Sequence, residues 1–289
     1  MPAEAFALAN AFLFALHNVL TRKALRTSNP ATAVISSLVV NIVFLWSMAF
    51  LFAPLSSLTG AATLIFVAVG IFQPGLTRLL TYKGIQTLGV AITDPIRATT
   101  PLFSALLAIV FLDETLTLPI VAATLMIMAG ITLLSWRQGS MKLTGSAVFL
   151  WYPIAASVIA GASQVVRKFG LAAVPHPFLA AAVTASSSLI VSVLTLWYVE
   201  KSQETWKMNR ECFRWLLAAG VTVSLAMTCI YYALDLGKVS VVIPISSIGP
   251  FFSLIFSALF LRDVERVTLR IVCSAAMIVG GVLLITLWK

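Results

Sequence analysis

The stretch "TDPIRATTP" at 93–101 sets an aspartate and an arginine three residues apart, beside two prolines, in an otherwise apolar segment. On a helix, Asp94 and Arg97 share one face and can neutralise each other. An arginine there could hold a carboxylate or phosphate through paired hydrogen bonds. An aspartate could bind an ammonium group or carry a coupling proton. Ser104 continues the same face. Pro95 and Pro101 each remove a backbone hydrogen bond, which loosens the helix and frees carbonyls toward a bend or a cavity. Both prolines are therefore expected as hinges. A bland alternative stands beside this reading: Asp94 lies near the start of its apolar segment, so the pair could snorkel to an interface as a topological anchor.

A near copy, "VIPISSIGP" at 242–250, keeps the proline spacing as Pro244 and Pro250 and replaces the charges with Ser246-Ser247. Further polar residues interrupt other apolar runs: Gln73 next to Pro74, then Thr77 and Tyr82, with Tyr231 at the matching place later on. His17 and Asn18 fall near the end of the first run, and Gln164 sits just before Arg167-Lys168. In lipid such residues face protein or a water-filled cavity, because an ionisable group at the bilayer centre costs roughly 2.5–3.5 kcal/mol on insertion scales. All of these are candidate cavity-lining residues, with two plainer alternatives: His17 as a satisfied interfacial histidine, and Gln73 as a hydrogen-bond partner of the helix that Pro74 breaks. The acidic pair Asp113-Glu114 reads as a solvated helix end, with a salt-bridge gate as the sharper alternative.

The elements that must position these groups follow from composition. Hydrophobic residues make up 60% of the 289, charged residues 10%, and mean hydropathy is +1.03. So few charges cannot cover a water-facing surface. A membrane-crossing helix needs about 20 apolar residues, and ten runs meet that length: 3–20, 33–53, 61–81, 89–111, 117–136, 146–166, 178–199, 213–234, 239–261 and 267–288. The runs do not alternate in polarity, which excludes a β-barrel. The fold class is thus an all-α integral membrane protein. The first run lacks a basic leader and a small-residue cleavage site, so it reads as a retained helix. Trp136, Trp151, Trp197, Trp206, Trp215 and Trp288 fall near run ends, as interface anchors do.

An internal repeat organises the ten runs. At an offset of 149, Pro95 meets Pro244, Pro101 meets Pro250, Phe103 meets Phe252 and Tyr82 meets Tyr231, while "FLDE" at 111–114 meets "FLRD" at 260–263. Arg22-Lys23 and Arg167-Lys168 end a run near the start of each half. Five runs per copy, 1–140 and 141–289, is an odd number, so the second copy crosses in the opposite sense. Inverted repeats of this kind build many secondary transporters, with a site near the midplane between the halves.

On these residues, "P-x5-P…FLDE", its weaker echo and the two Arg-Lys pairs, the chain resembles the EamA-type members of the drug/metabolite transporter superfamily over its whole length. The resemblance implies a basket-like ten-helix fold, solute transport and a cell-membrane (bacterial-type inner-membrane) setting, with both termini inside. The charge pattern implies the reverse orientation. Lys and Arg concentrate in connections after odd-numbered runs, while the even side holds Arg167, Lys168, Lys238 and Lys289.

The expected function is secondary-active export or exchange of a small polar or amphipathic metabolite, amino acids or related compounds, by alternating access. The expected partners are that solute and the lipid bilayer, with a coupling proton left open. The surplus charge of +9 sits at helix ends and calls for no nucleic acid. No ATP-binding, zinc-hydrolase or nucleophile-elbow motif is present, and Cys212, Cys229 and Cys273 lack metal-ligand spacing, so no cofactor is expected. A passive channel or scaffold, and less so a membrane-embedded enzyme, are the competing classes.

Overall fold

A computed structural model describes residues 2–57, 60–135, 147–199, 208–260 and 269–288. Among the described residues, ten helices are long and apolar enough to cross a membrane: Ala3–Ala24, Thr32–Phe52, Thr63–Leu88, Ile92–Leu112, Leu118–Ser135, Val148–Ala173, Pro177–Leu194, Arg210–Leu236, Val239–Phe256 and Leu269–Leu287, numbered here as spans one to ten. Two of the helices, Pro30–Phe52 and Arg210–Leu236, start where an asparagine side chain satisfies a free N–H group. Asn29 Oδ1 accepts from Thr32 N at 2.8 Å, and Asn209 Oδ1 accepts from Cys212 N at 2.6 Å.

Spans one, three and six run on past their expected ends, through the basic residues that seemed to stop them. Arg167 and Lys168 lie inside span six, which continues to Ala173. They are not a helix end, because each charge finds a place inside the protein, as described below.

The packing obeys the repeat. Span one lies against span eight as span six lies against span three, and span four against six as span nine against one. Two pairs with seven, and five with ten, each across the halves. Exchanging the halves therefore maps the contact pattern onto itself, as a pseudo-two-fold axis requires. Span one presents an alanine ridge, Ala3, Ala7, Ala11 and Ala15, all buried, which lets neighbouring backbones approach closely. Gly161 serves the same purpose in span six, where an added Cβ would stand 2.8 Å from Ser104 N.

Spans four and nine are broken at equivalent places. Span four comprises helices Val90–Arg97 and Thr100–Leu112, and span nine comprises Val239–Ser246 and Gly249–Phe260. The prolines cause this, since Pro101 and Pro250 donate no backbone bond to the preceding turn. Hydroxyls take up the freed carbonyls. Thr100 Oγ1 donates to Arg97 O at 2.8 Å, and Ser157 Oγ of span six donates to Ile96 O at 3.0 Å. Span three is broken too: Gln73 has extended dihedrals (φ −139°, ψ 117°) and its bond to Pro74 is cis. Span seven supports that break, with Ser188 Oγ donating to Gly70 O at 3.2 Å and Thr184 Oγ1 to Phe66 O at 3.3 Å.

Trp151 and Trp288 are exposed at span ends, and Trp215 lies under the Lys23 ammonium, 4.6 Å from the ring centroid. Trp136, Trp206 and Arg262-Asp263 lie outside the described residues, as does the side chain of Trp197.

Candidate functional site

A cavity of about 850 Å³ lies between the two halves at the level of the broken spans. Its walls include Asp94, Arg97, Ala98 and Pro101 from span four, and Ser246, Ser247 and Pro250 from span nine. Gln73, Pro74 and Arg78 come from span three, and Gln164 and Arg167 from span six. Span one contributes Asn10, His17 and Asn18, span two Ser37 and Asn41. The wall also reaches Thr21, Ala33 and Ser135, so the cavity extends toward the face of the odd-numbered connections.

Arg97 and Asp94 attract each other across one helical turn, yet Nη1 of Arg97 is buried and has no hydrogen-bond partner. A buried donor left empty costs about 1–3 kcal/mol, more when charged. Ser246 Oγ is likewise buried and unpartnered. Ser247 Oγ instead turns back on its own helix, to Pro244 O at 2.7 Å. His17 Nδ1 lies 2.9 Å from Ala219 O, which fixes the proton on that nitrogen and leaves Nε2 for other use.

The remaining candidates stand outside the wall. Thr77 is buried and donates to Pro74 O at 3.3 Å, stapling the break in span three. Ser104 is fully buried in the contact with span six and donates to Pro101 O at 2.9 Å. Tyr82 is 55% exposed, with its hydroxyl accepting from Arg78 Nε at 3.0 Å. Tyr231 is fully buried, its hydroxyl 2.6 Å from Thr184 Oγ1. Pro95 and Pro244 sit one turn before the breaks and do not reach the cavity.

Arg167 is the residue that the sequence reading did not select. It is buried, donates through Nη1 to Gln164 Oε1 at 3.1 Å, and lies over the ring of Tyr231 at 5.4 Å. Gln164 Nε2 in turn reaches Gln73 Oε1 at 3.3 Å, tying span six to the break in span three. A signal was available, since Arg167 falls three residues after Gln164 and so shares its helix face.

On the even-numbered side two charged side chains tie the spans together. Glu114 is buried, not solvated: its carboxylate accepts from Val239 N at 2.7 Å, Ser240 N at 3.0 Å and Ser240 Oγ at 2.6 Å. It therefore caps the first turn of span nine, where the helix dipole favours a negative charge. Lys168 does the converse for span eight, donating to Leu234 O at 2.6 Å, Asp235 O at 3.2 Å and Gly237 O at 3.0 Å.

A polytopic helical protein in two inverted halves, with a cavity between them where spans break, has the architecture of a membrane carrier. The chain belongs to the EamA-like transporter family, whose model matches residues 1–136 and 147–287. It is therefore a multi-pass membrane transporter and not an enzyme. A solved crystal structure superposes on it with a TM-score of 0.83, covering 99% of this chain and 96% of that one at 16% identity, which shows the shared fold. An uncharacterized protein of Methanocaldococcus jannaschii is 33% identical over 79 residues, a match spanning 27% of this chain and 56% of that relative.

Proposed function

We propose that the chain is a secondary carrier that exports or exchanges a small polar metabolite of the amino-acid class by alternating access of its two inverted halves. The observation that carries this reading is the cavity wall at the breaks of spans four and nine, with Arg97 and Asp94 side by side and a guanidinium nitrogen left unpartnered. An α-carboxylate answers Arg97, and an α-ammonium group answers Asp94. Span four is hinged at Pro95 and Pro101, span nine at Pro244 and Pro250, so each half can move its outer helix segment about its own break. The cavity wall reaches the odd-numbered face and does not include Glu114 or Lys168 at the other end, which favours a carrier over a passive pore. With Lys and Arg on the odd-numbered side, the positive-inside rule turns the cavity toward the cytoplasm of a bacterial-type inner membrane.

Counterflow in proteoliposomes tests the reading. Vesicles are preloaded with unlabelled amino acids, nucleosides, sugars or organic cations and given labelled solute outside. The expected result is saturable, transient accumulation of label with amino-acid preloads. Flux that does not saturate and shows no counterflow would make the protein a channel.

A further inference from the structure

The charges of the cavity wall do not balance. Arg97, from the first half, and Arg167, from the second, both face it, and among the described residues the carboxylate of Asp94 alone opposes them there. Arg78 also reaches the wall but is turned onto Tyr82, with its guanidinium 5.6 Å from that ring. Arg167 is 7% exposed, and its side-chain contacts, the amide of Gln164 and the ring of Tyr231, are neutral. Its Nε is buried without a hydrogen-bond partner, as is Nη1 of Arg97. Lys168, the next residue, spends its charge on the carbonyls that end span eight and does not compete for the same ligand.

A guanidinium stays protonated in proteins and is expensive to bury without a counter-charge. The protein nevertheless holds this one firmly in place. Gln164 orients it from one side and is itself fixed by Gln73, while Tyr231 lies beneath it, anchored through Thr184. Such a preorganised, uncompensated cation in a cavity wall is how a protein prepares for an anionic group carried in by a ligand.

Resting on the carrier reading above, we propose that Arg167 is a second anion-receiving group and that the cargo is a small dicarboxylate. Arg97 and Arg167 take one carboxylate each. Acidic amino acids are the members of that class whose ammonium group also answers Asp94. The two anion-receiving groups come from different halves, so a cargo with two carboxylates bridges the inverted repeats, whereas a neutral amino acid leaves one guanidinium empty.

The test compares near-isosteric pairs in the proteoliposome assay: glutamate against glutamine and aspartate against asparagine, with glutarate and glycerol phosphate as further arms. The expected result is exchange of the acids at least about tenfold faster than of their amides, since a site built for a charged group rejects the analogue that lacks it. Arg167→Gln lowers exchange of glutamate by about tenfold or more and erases the preference for acid over amide, and Arg167→Lys keeps part of both. A purely structural Arg167 would reduce both rates together and leave the ratio unchanged. Should Arg167→Gln fail to fold, the wild-type ratio decides alone. Saturable exchange of glutamine equal to that of glutamate keeps the carrier and overturns the dicarboxylate cargo, as does exclusive exchange of glycerol phosphate. Silence in every arm, including the wider panel, removes the carrier reading and this inference with it.

Discussion

Arg97→Ala abolishes transport while leaving the amount of protein in the membrane unchanged. With a cargo carboxylate on Arg97, truncating one partner of that buried charge pair typically costs 2–5 kcal/mol, so flux falls by roughly 30-fold or more. The protein should fold without the side chain, because the guanidinium faces a cavity and Nη1 makes no bond that the fold would lose. The local backbone bond from Thr100 Oγ1 goes to the carbonyl of Arg97, which alanine keeps. Initial rates in vesicles, normalised to protein content, check this. Wild-type flux in the variant would remove Arg97 from the cargo's path.

Glu114→Ala has a different signature, a loss of stability. The carboxylate serves two backbone N–H groups and one hydroxyl at the start of span nine, and its removal leaves those buried donors empty. Losing such a cap costs roughly 2–4 kcal/mol, which corresponds to a drop of about 5–10 °C in melting temperature. Glu114→Gln keeps one good acceptor oxygen and loses less. Thermal unfolding in detergent is the measurement. The variant should also open the even-numbered side more often, because the cap holds the end of span four against the start of span nine. An unchanged melting temperature would mean that water replaces the carboxylate without loss.

Much of this fold is legible in the sequence, for a simple reason: crossing a bilayer imposes a length, and length is visible. The repeat is equally visible in the prolines, whose spacing is the same in spans four and nine because the same break is needed twice. What the sequence hides is where a charge goes. Arg167-Lys168 looks like the end of a helix, since two cations after an apolar run usually meet water. Lys168 instead ends on the carbonyls of span eight, 66–69 residues away. Arg167 ends on a glutamine that a second broken span positions. Glu114 looks solvated for the same reason, while its partners lie 125 and 126 residues later. Polar residues also divide into cavity wall and internal staples by helix rotation of a few tens of degrees. Ser246 and Ser104 are alike in type and each sits in a broken span, yet one lines the cavity and the other packs against Gly161.

The central claim is that one cavity, walled by the broken spans, opens alternately to the two sides. Two-sided labelling tests it most directly. Cys212, Cys229 and Cys273 are replaced, a single cysteine is placed by Ser246→Cys, and a membrane-impermeant thiol reagent is applied to right-side-out and inside-out vesicles. The account predicts labelling from both sides, with added exchangeable solute changing the two rates in opposite directions. Labelling from one side only, at a rate indifferent to solute, would contradict it.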